Sequence, residues 1–352
     1  MSLIKIDPLR VEEEKIKKVA EVLSRGGLVI VPTETVYGIV VNSYDEMAVK
    51  RLYQIKERPF NKPFTIIIER KERIEEFAQN ISSSVYKLID VFWPGPLTVI
   101  IPKENLPDTV GLRMPHHSFL LKLITEVKFP LYCPSANISG RPPPRTLEEA
   151  LRDLKGKVDL AVDGGPASLG IESTIVDLTK EPFSIIREGA IPKEKIEEVK
   201  NKKIVLFVCT GNSCRSVMAE ALLKKRLKEM NRTDVEVISA GIANIGSLKP
   251  TLETIELLKS EGIDVSGYNS KSINPLMIKK ADLIFVMESI HEKRIRELAP
   301  YVKNNLFLLK EFAKIEIGDD LEIPDPIGKS KEYYDDIFRL IKEAVERIAN
   351  II

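Results

Sequence analysis

Ile204-Val205-Leu206-Phe207-Val208-Cys209-Thr210-Gly211-Asn212-Ser213-Cys214-Arg215-Ser216 decides how the second half of the chain is read. Five consecutive apolar residues without alternation describe a strand buried on both faces, as in a parallel sheet. A turn containing Gly211 and Asn212 follows, and both residue types tolerate left-handed backbone. A helix is expected from about Ser216 to Glu229. In that order, strand, tight loop and helix start make an anion cradle, because loop amides and the helix N-terminus converge on one point. Arg215 adds a planar fork that matches two phosphate oxygens. A cysteine in such a positive field is favoured as thiolate, and a thiolate beside a bound phosphoryl group is a nucleophile for its transfer. Cys209, Thr210, Gly211, Asn212, Ser213, Cys214, Arg215 and Ser216 are therefore read together as a phosphate loop.

Outward from this loop, strands are expected at 235–238 and 283–286, with helices near 250–261 and 331–350. Strand and helix in alternation imply a doubly wound parallel sheet over residues 203–352. The charged stretch GAIPKEKIEEVKNKK at 189–203 reads as a connector, which leaves 1–198 as a first domain. There, Val11, Ile16, Val19, Ala20 and Leu23 share one helical face, and Gly26-Gly27 ends the helix. Leu28 to Val31 reads as a buried strand. Further strands are expected at 64–68, 97–101, 158–162, 174–178 and 184–187, and helices near 45–57, 82–91, 117–126 and 147–155. The fold class is α/β throughout, mixed in the first half. Five prolines between 130 and 144 make that segment a shaped loop.

At 352 residues the chain has room for two domains. Fifty-three basic against 52 acidic side chains exclude a polybasic nucleic-acid binder and an acidic solvating tail. Cys133, Cys209 and Cys214 are too few for a disulfide scaffold, and such sparse usage fits a reducing cytoplasm. The opening MSLIKIDPLRVEEEK lacks a signal-peptide core. No apolar run approaches the roughly 18 residues that cross a bilayer. The expected location is cytoplasmic, with no membrane partner.

VCTGNSCRSVMAE at 208–220, SAG at 239–241 and DP at 325–326 resemble the low-molecular-weight protein phosphatases. The resemblance implies Cys209 as nucleophile, Arg215 as phosphate binder and Asp325 as general acid, with Pro326 helping to fix its backbone. Asp325 would protonate the leaving group and then activate water against a phosphocysteine. Val217 stands where the family usually has proline. Cys214 reads either as the partner of Cys209 in a protective disulfide or as a packed side chain. Thr210 and Ser213 are small and polar where tyrosine-specific members carry apolar bulk, and Ser213 is expected at the loop rim. That pattern, with DPIGKS at 325–330, is similar to the protein-arginine phosphatases. The substrate is expected to be a phosphoprotein carrying phosphoarginine, with phosphotyrosine the alternative.

In the first half, residues 51–73 hold seven basic side chains against three acidic ones. Thr35 lies in PTETVYG at 32–38. Lys56, Arg58 and Lys62 lie in KERPFNKP at 56–63, Ser135 and Asn137 in SANISG at 135–140, and Ser173 in EST at 172–174. Arg187 opens REG at 187–189. Each segment alone is a turn that offers donors to anions, and basic clusters in such loops suit triphosphate or RNA.

In this order, over about residues 10–195, they resemble the YrdC-like threonylcarbamoyl-AMP synthases. The resemblance implies a twisted mixed α/β sheet with a concave basic surface. It also implies an activity: L-threonine, bicarbonate and ATP become threonylcarbamoyl-AMP and pyrophosphate, for modification of tRNA by a downstream threonylcarbamoyl transferase. By motif, Lys56 and Arg58 are central to the chemistry. Arg58, Lys62, Thr109, Asn137, Arg145 and Arg187 surround ATP, while Thr35, Arg113, Ser135 and Ser173 hold threonine. Mg2+ is expected on the ATP phosphates, and no protein metal site is expected. Two departures stand out. Ile67 sits near where archaeal relatives often have His, and the phosphatase occupies the place of the longer synthases' additional domain. Tyr37, His116 and Cys133 are read as core, surface and packing residues. The alternative of another class is a double-stranded-RNA-binding module with an attached regulatory phosphatase. Ser135 and Asn137 beside Lys56 and Arg58 argue for the enzyme, since phosphate binding alone does not require them.

Overall fold

The computed structural model describes residues 1–8, 10–103, 109–243, 246–300, 302, 304–315 and 320–352. It divides into two compact units, Met1–Lys200 and Asn201–Ile352.

The first unit contains the strands β1 (Ser2–Lys5), β2 (Val29–Val31), β3 (Gly38–Asn42), β4 (Ile66–Ile67) and β5 (Leu97–Pro102). It continues with β6 (Thr109–Arg113), β7 (Leu131–Tyr132), β8 (Leu160–Asp163), β9 (Thr174–Asp177) and β10 (Ser184–Arg187). They form one mixed sheet in the order β1-β8-β2-β3-β7-β4-β6-β5-β9-β10. The apolar run around β2 is explained by helices on both faces. Val29 and Val31 pack with Val19 and Leu23 of helix Glu13–Ser24 and with Leu120 and Leu123 of helix Ser118–Glu126. Leu28 and Ile30 pack instead with Leu52 of helix Glu46–Lys56 and Leu154 of helix Leu147–Leu154.

Three sequence expectations change. The strand at 64–68 shrinks to Ile66–Ile67, and β8 begins at Leu160. Asp159, just before it, uses its carboxylate to accept the Leu28 amide at 2.7 Å and the Arg51 guanidinium at 2.8 Å. The stretch read as a connector contains the helix Lys193–Asn201. Its Lys and Glu are good helix formers, and one apolar side chain, Ile196, is fully buried.

The second unit has four strands: β11 (Lys203–Cys209), β12 (Val235–Gly241), β13 (Leu283–Val286) and β14 (Leu306–Leu308). All pair in parallel, in the order β12-β11-β13-β14. Val205, Phe207 and Phe285 face helices Arg215–Glu229 and Lys331–Ala349. Ile204, Leu206 and Ile284 face helices Pro275–Lys280 and Ser289–Leu298, which the apolar periodicity had not revealed. The order in which strands are added switches sides at β11, with β12 on one side and β13 on the other, so the crevice beyond its carboxyl end is the expected ligand site of such a sheet. Cys209 is the last residue of that strand. Among the described residues no helix is long and apolar enough to cross a membrane.

Thr174, fully buried at the start of β9, ties the strand to the segment that follows β10. Its hydroxyl donates to the Ile191 carbonyl at 2.7 Å and accepts from the amides of Gly189 and Ile191 at 3.0 and 2.9 Å. Thr174→Val strands those groups in the interior and is expected to cost about 3 kcal/mol. Trp93, the chain's single tryptophan, is buried in the first unit and reports its unfolding alone. The urea midpoint read by its fluorescence falls in the variant, with the slope unchanged; an unshifted midpoint contradicts this role for Thr174.

Candidate active sites

A cleft of about 360 Å3 opens in the first unit. Its walls come from segments that leave strand ends: 33–38 after β2, Arg113 ending β6, 133–141 after β7, 172–173 before β9 and Arg187 ending β10. Helix Glu46–Lys56 contributes its last residue. Of the residues read from sequence, the cleft brings together Thr35, Lys56, Arg58, Arg113, Ser135, Asn137, Ser173 and Arg187. Three others are not in its lining. Lys62 is exposed, and its carbonyl accepts from Arg58 Nε at 2.9 Å. Thr109 lies at the opposite end of β6 from Arg113, about 13 Å away at ordinary strand rise. Arg145 is exposed and lies against Gly170.

Each cation in the cleft is anchored from behind. Lys56 is 2% exposed, and its ammonium donates to the carbonyls of Ser135 at 2.5 Å and Asn137 at 2.7 Å. Burial, with Arg58 adding to it, pushes its pKa down to about 8. Arg58 donates to the Lys62 and Pro63 carbonyls and lies over the Phe64 ring. Arg187 holds Glu172 and, through Nη2, the Ser173 hydroxyl at 3.1 Å. Arg113 pairs with Glu34 at 2.7 Å and with the Thr35 hydroxyl at 2.9 Å. Glu34 was not read from sequence, although a carboxylate inside PTETVYG is the signal that points to it. It is 6% exposed, and its second oxygen has no partner among the described residues. Desolvation also pushes Cys133, on the cleft wall, up to about 12, so its thiol stays protonated. Tyr37 is fully buried, donates to the Gly165 carbonyl at 2.6 Å and is no base-stacking platform, while His116 is exposed.

In the second unit the loop after β11 wraps an anion-sized turn. Asn212 adopts φ 54°. Its amide points to Cys209 Sγ at 3.3 Å, and its side chain donates to Ser216 at 2.9 Å and Ser239 at 2.7 Å. Gly241 is required beside it, because a Cβ there would lie 2.7 Å from the Thr210 carbonyl oxygen. Cys209 Sγ lies 3.0 Å from the Ser216 hydroxyl, a donor suited to a thiolate. Arg215 is 1% exposed. It donates to the Ile323 carbonyl at 2.7 Å, to Asp325 at 2.5 Å and to Glu288. Phosphate binder and expected general acid thus touch directly, and Glu288 completes a pair of carboxylates that the sequence reading missed. Glu288-Ser-Ile-His291, a capping box after an apolar strand, is the signal that could have found it.

One expectation needs correction. Ser213 is not at the rim: it is 5% exposed, and its carbonyl accepts the Thr251 amide at 3.1 Å. Thr210 is the exposed side chain of the loop. The thiols of Cys209 and Cys214 are both free, and Cys214 is packed in the interior with its Sγ 3.4 Å from Thr251 and 3.6 Å from Tyr334. Val217, in place of the family's proline, is buried in the core.

A buried cation-lined cleft and a thiol-bearing phosphate loop are two enzyme-class sites on one chain, and comparison with known proteins bears on both. Residues 21–189 match the family model of Sua5, YciO and YrdC proteins, described as telomere recombination. Residues 204–352 match the model described as low molecular weight phosphotyrosine protein phosphatase. The chain belongs to the Sua5/YciO/YrdC family and carries a low-molecular-weight phosphatase domain after it. A Pyrococcus abyssi protein named threonylcarbamoyl-AMP synthase is 44% identical over 198 residues, 54% of this chain and 58% of that one. A Methanocaldococcus jannaschii relative is 39% identical over 204 residues, 55% of this chain and 96% of that one. The crystal structure of P. abyssi Sua5 complexed with L-threonine is similar, with TM-score 0.54 and 25% identity over 97% of this chain and 98% of that one. The chain spans 58% of the length of the curated relatives from P. abyssi and Bacillus subtilis.

His291, fully buried behind the phosphate loop, gives a pH dependence. Burial, with Arg215 adding to it and Asp325 and Glu322 opposing, pushes its pKa down from 6.5 to about 4. The neighbouring Glu288 carboxylate, 3.8 Å from Nε2, therefore makes no ion pair with it near neutrality. Below pH 6.5 the unfolded chain takes up a proton that the folded one refuses until about pH 4. Stability is therefore lost as pH falls through that window, by about 3 kcal/mol. Scanning calorimetry of the full chain should show the second unit's transition dropping between pH 6.5 and 4, and His291→Leu should flatten that slope. An equal slope in both proteins contradicts the assignment.

Proposed function

We propose that the chain is a bifunctional enzyme. The first unit makes L-threonylcarbamoyl-AMP and pyrophosphate from L-threonine, bicarbonate and ATP, for tRNA modification. The second hydrolyses a phosphoprotein through a phosphocysteine. The observation that carries the first reading is the cleft in which three guanidiniums are each anchored on one side by carbonyls, carboxylates or hydroxyls. Each keeps N–H groups for a ligand in fixed positions. Carbamate attack on the α-phosphorus, with pyrophosphate leaving, needs charge neutralisation and orientation more than a nucleophilic side chain. Arg113 suits the threonine carboxylate, and Thr35 and Ser173 its hydroxyl and the carbamate. Lys56 is tied to the carbonyls of Ser135 and Asn137, so its part is to shape that loop and spare one donor. Asn137, whose side-chain oxygen is buried without a partner among the described residues, suits the nucleotide. Among the described residues no group of His, Cys, Asp and Glu is arranged to hold a metal, and Glu172 is already paired with Arg187. Mg2+ would accordingly be held on the ATP phosphates, where it lowers their charge.

For the second unit the reading rests on Cys209, Arg215 and Asp325 within one loop-centred cluster. With an anion on Arg215, Asp325 is released towards the leaving group it is to protonate. Phosphoarginine is favoured by the polar, exposed side chain of Thr210. Phosphotyrosine is the second reading, favoured by Ile327, 53% exposed and two residues beyond the acid.

Pyrophosphate release dependent on threonine, beside hydrolysis of both phosphoamino acids, tests the two halves. Arg58→Ala should lower threonylcarbamoyl-AMP formation by about 100-fold or more and leave phosphatase turnover intact. Synthase turnover near wild type rejects the cleft assignment. Cys209→Ser should do the reverse, because a serine hydroxyl is not ionised near neutrality; persisting hydrolysis rejects the nucleophile.

A further inference from the structure

Thr210 and His291 form a hydrogen-bonded pair at the phosphate loop. Thr210 is the exposed member of the phosphate loop, and His291 is fully buried behind it. The Glu288 amide donates to His291 Nδ1 at 3.1 Å, so that nitrogen carries no proton. In the neutral ring the proton is then on Nε2, which lies 2.9 Å from Thr210 Oγ1. The imidazole therefore donates and the hydroxyl accepts. Arg215 Nη2 donates to the same oxygen at 3.3 Å. A hydroxyl has two lone pairs and one proton. With both lone pairs occupied, the Thr210 O–H is left as a donor that has no acceptor among the described residues.

Its position gives the donor a use. The Arg215 nitrogen that reaches Thr210 also reaches Asp325, at 2.5 Å. Hydroxyl and acid thus flank one edge of the guanidinium. Two donors 3.3 Å apart can both lie within about 2.8 Å of a single oxygen. A phosphoryl oxygen bound at that edge of Arg215 would meet the Thr210 hydroxyl too.

We propose that Thr210 is a further phosphoryl-oxygen ligand of the second unit and that His291 is its positioning residue, turning a free hydroxyl rotor into a committed donor. The proposal rests on the phosphatase reading for its purpose, but its geometry concerns anion binding alone. His291 stays in one protonation state above about pH 4, so the donor is present throughout the neutral range. The pairing is also reciprocal: an apolar residue at 210 would leave the buried Nε2–H of His291 without a partner.

The test uses the full chain as wild type, Thr210→Val, His291→Leu, the double variant and His291→Gln, whose carboxamide retains an N–H donor. The readouts are the Kd for inorganic phosphate by calorimetry and kcat/KM for p-nitrophenyl phosphate and phosphoarginine. Each of the first two single variants is expected to weaken phosphate binding and kcat/KM by about 10-fold. The double variant should be no worse than either, and His291→Gln should recover most of the loss. A double variant in which the losses multiply, or a His291→Leu protein that binds phosphate as the wild type does, overturns the proposal. If His291→Leu does not fold, Thr210→Val and His291→Gln decide it: unchanged phosphate affinity in Thr210→Val is equally fatal. Phosphate binding without turnover of either substrate would reject the phosphatase reading and leave this inference to stand or fall on the Kd values.

Discussion

The Lys56 ammonium, shut away from water against the carbonyl oxygens of Ser135 and Asn137, is the interaction on which the first unit's cleft depends. Burying a cation is unfavourable unless the surroundings replace its hydration. Here two backbone dipoles of one loop do so, and in return the loop is held in a single shape. Ser135 and Asn137 sit on that loop, and Ser139 adds a further tie by donating its amide to the Lys56 carbonyl at 2.9 Å. The residual strain shows as a lowered pKa, to about 8. An anion in the cleft relieves it, so ligand binding and ionisation of Lys56 are linked in one direction.

The second unit solves a similar problem with a different cation. Arg215 cannot shed its proton, so its burial is balanced by Asp325 and Glu288. That arrangement stabilises the empty site and orients the guanidinium, but a phosphate dianion must compete with Asp325 for it. On the phosphatase reading proposed above, the carboxylate set free is the one needed at the leaving group. Glu288 holds Arg215 from the other side, and His291 is fixed to Glu288 by the same helix cap.

How much of this could be read from sequence follows from how local each feature is. The phosphate loop occupies eight consecutive residues, so strand, turn and helix start reveal it together. Glu288 and His291 enter the same site from another strand end, and only an alternation of Glu and His at a helix start marks them. In the first unit, the cleft residues lie in short polar turns that resemble caps, and it was their order along the chain that made them legible. The strands β3, β6 and β7 were missed because each is short, and β7, with two residues, is a strand only through distant partners in β3 and β4. The helix at Lys193–Asn201 was hidden by a surface of charge around a single buried isoleucine.

The pairing of β1 with β8 has a consequence for how the protein is made. Ser2–Lys5 is hydrogen-bonded beside Leu160–Asp163. The strand Ser2–Lys5 therefore leaves the ribosome about 160 residues before its partner exists. At ordinary synthesis rates of about 5–20 residues per second that is roughly 8–30 s. Throughout this time Ile4 and Ile6 lack Leu160 and Val162, which complete the cluster that buries them. Synthesis of the first unit is therefore the interval in which a nascent-chain chaperone has most to protect. The parallel sheet of the second unit, whose strands fall within about 110 residues of one another, closes with less delay.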